Sequence, residues 1–241
     1  MLIDEAQWFA RMLGGIDIES ISPMLNVGSS TGEFRERQPW IEACIFQPFR
    51  DRGGLVLNLD LKDAPGVDIV GDLADAETRE KLAEHGFRSV FCANILEHVR
   101  DRASLCEAIL SVLPEGGHVF ASCPSSYPYH PDPIDTMFRP SVRELTASFP
   151  GTSVLHGETI ECGTYARYAF RNLASALRVA GRLGMPFYKS AGWKMEVDHL
   201  PWFFKQFEVS CLVLTKSGES KTEAVEQTGT PAPLQSTLLR A

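Results

Sequence analysis

Short, almost wholly apolar runs punctuate the first half of the chain: Met24–Val27, Leu55–Leu59, Val67–Val70, Ser89–Cys92 and His118–Cys123. Strands covered on both faces require runs of this length and uniformity. Helical patterns alternate with them, so the arrangement predicts βαβ units and a parallel sheet. Asp101 is placed to cap a helix running to Leu113, and Pro114-Glu115-Gly116-Gly117 supplies the turn that ends it. Beyond Cys123 the alternation gives way to a proline-rich stretch reaching Pro140. Ser141-x-x-Glu144 then reads as the capping box of another helix. A sixth strand is expected over Ser153–Ile160, a helix over Tyr165–Arg182 and a last strand over Val209–Thr215. Residues 216–241 are mostly small and polar, without a period until Leu238-Leu239, which predicts a flexible tail. The organisation expected is one domain over 1–215, with a loop and insertion at about 124–205, followed by that tail.

Composition narrows the class. The 241 residues carry a net charge of −8, which argues against the basic footprint that nucleic-acid binding uses. The six cysteines are scattered without a CxxC pair, and four stand inside apolar runs, where a thiol behaves as a small core hydrophobe. Neither a disulfide framework nor a zinc site follows, and a reducing cytoplasm fits best. The first residues, MLIDEAQWFARMLGG, hold acids early and no long apolar core, so no signal peptide is expected. No stretch approaches the roughly 20 apolar residues that span a bilayer.

The chemistry concentrates where strands end. Met24-Leu-Asn26-Val-Gly28-Ser-Ser30-Thr-Gly32-Glu-Phe runs from an apolar strand into a glycine turn, and Ser30-x-x-Glu33 reads as a capping box opening a helix. Glycines there let backbone approach a ligand, and a helix start offers free N–H donors. Ser30 and Glu33 occupy the second and third glycine positions of the dinucleotide fingerprint, and no Gly-Lys-Ser/Thr follows, so neither a nicotinamide enzyme nor a P-loop is matched. The second strand ends at Asp60, whose carboxylate can accept both hydroxyls of a ribose. The third runs into Gly71-Asp72-Leu73, and the fourth into Asn94-Ile-Leu-Glu97-His98. Each acid taken alone suits a helix cap or a solvated loop. Four strand ends carrying glycine or polar residues together suit a ligand at the carboxyl edge of an open α/β sheet.

With these residues in view, the chain resembles the class I S-adenosylmethionine (SAM)-dependent methyltransferase superfamily, most closely its methyltransferase type 11-like branch. The resemblance covers about Met24–Pro124 and, more loosely, Val209–Lys216. It implies a doubly wound, Rossmann-like α/β fold with a seven-stranded sheet, mostly parallel with an antiparallel last strand. It also implies SAM as cofactor, held by Asn26, Gly28, Ser30, Gly32, Asp60, Asp72, Leu73 and Asn94. The Leu113-Pro-Glu-Gly116-Gly117 turn matches the one preceding the family's fifth strand. Two departures stand out: Ser30 replaces the middle glycine, and the interval from Gly32 to Asp60 is long. Pro39, Pro48 and Arg50-Asp-Arg-Gly-Gly54 lie in that interval, so an extra loop is expected there.

In this fold the acceptor lies over the segments after strands four and five, which points to the proline-stiffened loop Tyr127–Arg139. Tyr127, Tyr129, Asp132, Asp135 and Arg139 are the expected acceptor contacts, and His130 and His98 the expected catalytic residues, since an imidazole suits a general base near neutral pH. Some quinone-biosynthesis O-methyltransferases look similar around His98 and carry an ExxEH cluster proposed to hold a divalent cation. Here Asn94 stands in place of the first acid, so no metal is expected. Arg167, Arg171, Arg178 and Arg182 share a helix face, either a solvated face or one that touches anionic lipid or a phosphate-bearing acceptor. The aromatics Phe187, Tyr188, Trp193, Trp202, Phe203 and Phe204 form either a lid or sheet-edge packing. The reading is methyl transfer to a small-molecule, glycan or lipid-linked acceptor, with oxygen the expected atom. The alternative is a non-catalytic SAM- or nucleoside-binding module of the same fold.

Overall fold

The computed structural model describes residues 1–218, except 131–133, 171, 185–192 and 195–196. Seven strands form one sheet: β1 Met24–Val27, β2 Val56–Asp60, β3 Ile69–Val70, β4 Ser89–Ala93, β5 His118–Ser126, β6 Thr152–Thr164 and β7 Gln206–Lys216. Their spatial order is β3-β2-β1-β4-β5-β7-β6, with every pairing parallel except those of β7, which runs antiparallel to both β5 and β6. The order reverses at β1 and β4, the position at which an open α/β sheet leaves a crevice outside its carboxyl edge.

The period of two sorts side chains between two cores. On one face Leu25, Val90, Cys92, Val119, Ala121 and Leu212 pack with helices Arg102–Ser111 and Val142–Ala147. On the other, Met24, Phe91, Phe120, Cys211 and Val213 pack under the N-terminal helix Ile3–Gly14 and the helical segments between β1 and β2. The uniform apolar runs follow from this double cover. The six cysteines are free thiols, five of them buried. Asp101 caps its helix by accepting from the Ser104 N–H at 3.1 Å, and Ser141 and Glu144 form a reciprocal capping box.

Several boundaries differ from the sequence expectation. The interval between β1 and β2 is not a loop but a chain of short helices, Gly32–Glu36, Pro39–Ile41, a π turn at Glu42–Phe46, and Gln47–Asp51. Pro39 sits in the first turn of its segment, where the missing N–H costs nothing, and Pro48 follows directly on the π turn, whose last N–H, that of Gln47, reaches Glu42 O. The cap of the first segment is Thr31, whose hydroxyl accepts from Phe34 N at 3.2 Å, and not Ser30. β5 and β6 extend beyond their predicted ends, and the helix expected over Tyr165–Arg182 divides into Tyr165–Ala169 and Leu173–Gly184. Asp132, Arg171, Phe187 and Tyr188 lie outside the described residues, as does the expected tail from residue 219 onward. Among the described residues no helix is long and apolar enough to cross a membrane.

Candidate functional site

The carboxyl ends of β1 to β4 open onto a cavity of about 810 Å³, within the ~300–1,000 Å³ range of ligand pockets. Its floor is the turn after β1. Gly28 takes φ +62, and a β-carbon there would stand 2.7 Å from Ile95 Cδ1, so backbone fills space that a side chain cannot. Ser30 also adopts a left-handed φ of 54, and its N–H donates to Asp60 Oδ2 at 2.7 Å. Asp60 Oδ1 accepts from Lys62 N at 3.0 Å, so the β2 carboxylate fixes the turn while keeping lone pairs toward the cavity that it lines. Arg35 clamps the turn from below, donating to the carbonyls of Ser29, at 2.9 Å, and Ser30, at 2.9 Å. Gly32 serves elsewhere: its N–H donates to Pro65 O at 2.8 Å, and its missing side chain admits the 65–66 backbone. Gly28→Ala is expected to cost about 1–2 kcal/mol, the strain of a left-handed non-glycine residue, and to lower ligand affinity by crowding Ile95; urea unfolding and a binding titration check both.

The neighbouring strand ends complete one half of the cavity. Asn26 Nδ2 donates to Asn58 Oδ1 at 2.9 Å, and Asn58 donates in turn to Asp68. Asp72 and the buried Leu73 line the wall after β3, with Asp72 Oδ1 accepting from Ala74 N at 2.9 Å. A carboxylate after β2 flanked by an acid and an apolar side chain after β3 offers ribose acceptors beside a slot for a flat ring.

The other half lies above β4 and β5. Asn94 takes a left-handed φ of 54, and its Nδ2 donates to Glu5 Oε1 at 2.8 Å. Ser122 Oγ donates to the same oxygen at 2.6 Å, and Leu2 N to Glu5 Oε2 at 3.0 Å. Glu5 is thus a fully buried carboxylate satisfied by three neutral donors, facing the cavity from the N-terminal helix. Sequence reasoning did not single it out, although Glu5, Phe9 and Leu13 share the helix's buried face at intervals of four.

Glu97 is also fully buried, and burial pushes its carboxyl up to about 7. The loop after β5 is tied to the turn that carries it: Thr136 N and Oγ1 both donate to Glu97 O, at 2.8 and 2.9 Å, and His98 Nδ1 bonds to Ile134 O. His98 and His130 meet edge to face, with ring centroids 5.1 Å apart, and Tyr127 packs against His130 at 5.0 Å. Burial lowers the pKa of His130 and raises that of Tyr127.

Of the expected acceptor contacts, Tyr127 lines the cavity together with the two histidines, whereas Tyr129 is 56% exposed. Asp135 and Arg139 are spent on each other, with Arg139 donating to Asp135 Oδ2 at 2.6 Å and to the Tyr127 and Pro128 carbonyls. Burial works to raise the Asp135 carboxyl, but Arg139 and the backbone N–H groups of His130 and Met137 outweigh it and hold it at about 2. These two residues shape the loop and do not line the cavity. Trp202 stacks on Phe207 at 5.4 Å, against the sheet, and Leu173 and Leu177 stay largely exposed on their helix.

A reversed-order sheet ending in an antiparallel hairpin, with its cavity over β1 to β4, decides the family of shapes. The fold is that of the class I SAM-dependent methyltransferases. No protein-family model and no curated protein matches the sequence. Solved structures do. Coclaurine N-methyltransferase, bound to N-methylheliamine and S-adenosylhomocysteine, superposes with a TM-score of 0.56 at 14% identity, covering 87% of this chain and 70% of that one. The MccD protein gives 0.53 at 13% identity over 88% and 96%. The [4+2]-cyclase SpnF gives 0.53 at 14% identity over 86% and 81%. One methyltransferase fold thus carries both methyl transfer and a cyclisation, so the fold does not fix the reaction.

Proposed function

We propose that the chain is a SAM-dependent methyltransferase acting on a small-molecule, glycan or lipid-linked acceptor through a hydroxyl oxygen. The observation that carries the reading is Asp60, a carboxylate on the cavity wall, bonded to the Ser30 N–H of the glycine turn. That pairing presents acceptors for a ribose beside backbone able to approach the rest of the cofactor. Asp72 and Leu73 would border the adenine, while Asn26, Gly28, Ser30 and Asn94 complete the cofactor half. The cavity then continues past Asn94 to Tyr127, His98 and His130, which leaves room for an acceptor beyond the methyl group.

Methyl transfer from a sulfonium is an in-line displacement, so the protein's work is to align the acceptor and exclude water. A hydroxyl acceptor must also lose its proton, and the reading assigns His130 and His98 to that proton. His130→Ala is expected to leave SAM affinity within about twofold while lowering turnover by about 10²–10⁴-fold, the usual contribution of a positioned proton acceptor. Calorimetry and single-turnover methyl transfer from labelled SAM, across a panel of hydroxylated acceptors, separate the two quantities. Equal loss of both would make His130 a scaffold residue. A non-catalytic SAM-binding module would bind SAM and transfer nothing; the open cavity beyond Asn94 favours an enzyme.

A further inference from the structure

Three side chains at the acceptor end of the cavity bring ligand-capable atoms close together. Glu97 Oε1 is buried and has no hydrogen-bond partner among the described residues. His98 Nδ1 faces the Ile134 carbonyl, and His130 Nδ1 lies 3.3 Å from Pro128 O and 3.2 Å from Asp135 Oδ2. Only acceptors face these nitrogens, so in the neutral rings the hydrogen belongs on Nδ1 and the lone pair on Nε2. His98 Nε2 stands 3.7 Å from Glu97 Oε1, beyond hydrogen-bond reach. One ligand atom from each of Glu97, His98 and His130 lies within 4.8 Å of the other two. Metal-ligating histidines are held in this way, with one ring N–H given to a carbonyl or carboxylate and the other nitrogen presented.

We propose that Glu97, His98 and His130 bind one divalent transition-metal ion, with its remaining coordination positions open to the cavity. Two imidazoles and one carboxylate suit zinc, iron or manganese, whereas calcium and magnesium favour all-oxygen sites. Metal–ligand bonds of about 2.1 Å place adjacent donors ~3.0–3.4 Å apart. The His98–Glu97 edge, at 3.7 Å, therefore closes with a small side-chain adjustment, and His130 makes the larger approach. Asn94 Nδ2 is bonded to Glu5, and Asn94 is not one of the three clustered residues. The third ligand comes from the loop after β5, outside the Asn94–His98 segment in which Asn94 replaces the first acid.

Resting on the methyltransferase reading, the open positions suit an acceptor oxygen. A bound cation lowers the pKa of a ligated hydroxyl, so the acceptor's proton would pass to solvent, and His98 and His130, with their Nε2 lone pairs on the ion, would act by holding the ion rather than by taking the proton themselves.

The test is titration of the chelator-treated full chain, calorimetrically with Zn²⁺ and by visible absorption with Co²⁺. One ion per chain is expected. Affinity should fall at least about 100-fold in His98→Ala, His130→Ala and Glu97→Gln, beyond what loss of an outer-shell partner costs. His156→Ala, which changes an exposed histidine on β6, should retain binding. SAM titration of the same samples checks folding and keeps the two readings apart. Metal uptake without SAM binding retains the metal site and removes the cofactor assignment. SAM binding without metal uptake overturns the metal site, as does Zn²⁺ affinity unchanged in both histidine variants. Should Glu97→Gln fail to fold, the histidine variants decide.

Discussion

Asp60→Ala is expected to weaken SAM binding by about 10²–10⁴-fold, because the ribose loses two hydrogen bonds to a charged acceptor at about 1.5–3 kcal/mol each. The effect is large because Asp60 has two tasks. Its carboxylate also receives the Ser30 and Lys62 N–H groups, at 2.7 and 3.0 Å, so its removal frees the turn that the cofactor must lie against. Asp60→Asn keeps the side chain's size and one acceptor oxygen, and should fall between wild type and alanine. Calorimetric titration measures all three proteins, with urea unfolding run in parallel to show that each is folded. An alanine variant binding within threefold of wild type would remove Asp60 from the cofactor site.

The second large effect is on stability. Asp135→Asn should destabilise the protein by about 3–5 kcal/mol, the cost of leaving one member of a buried ion pair uncompensated. The Asp135 side chain is shielded from solvent, and that of its partner Arg139 is only 11% exposed. The carboxylate also accepts from the backbone N–H groups of His130 and Met137, at 3.0 and 2.8 Å, so one side chain holds both ends of the turn. The same substitution releases His130 from its placement and should lower Zn²⁺ affinity together with stability. Urea unfolding monitored by tryptophan fluorescence reads the first quantity. A change under about 1 kcal/mol would mean that the loop opens without disturbing the rest, an exposed-pair outcome.

The sheet was legible because its strands are covered on both faces. Leu25, Val90, Val119 and Phe120 had to be apolar wherever they pointed, and the runs stand out without any knowledge of pairing. The shared cavity lining of Gly28, Ser30, Asp60 and Asp72 was legible for a related reason: they stand at or just past strand ends, so local order along the chain becomes proximity in space. The helical chain from Gly32 to Asp51 was not, since Pro39 and Pro48 read as breakers until the first-turn position of the one and the π turn before the other are seen.

Glu5 shows where local reasoning stops. Its partners Asn94 and Ser122 are 89 and 117 residues away, and no short window contains such a contact. The meeting of Glu97 and His98 with His130 has the same character, because it depends on how the loop after β5 is tied back by Thr136 and Ile134. Arg139 belongs to the loop expected over the acceptor from its place after β5, and its guanidinium is bonded to Asp135 and to the carbonyls of its own loop.

The most direct measurement is calorimetric titration of the purified chain with SAM, S-adenosylhomocysteine and NAD. Micromolar binding of the first two, with none of the third, is the predicted result. A folded protein that binds neither SAM nor its demethylated product would contradict the account, leaving the methyltransferase fold without the cofactor proposed for Asp60 and the glycine turn.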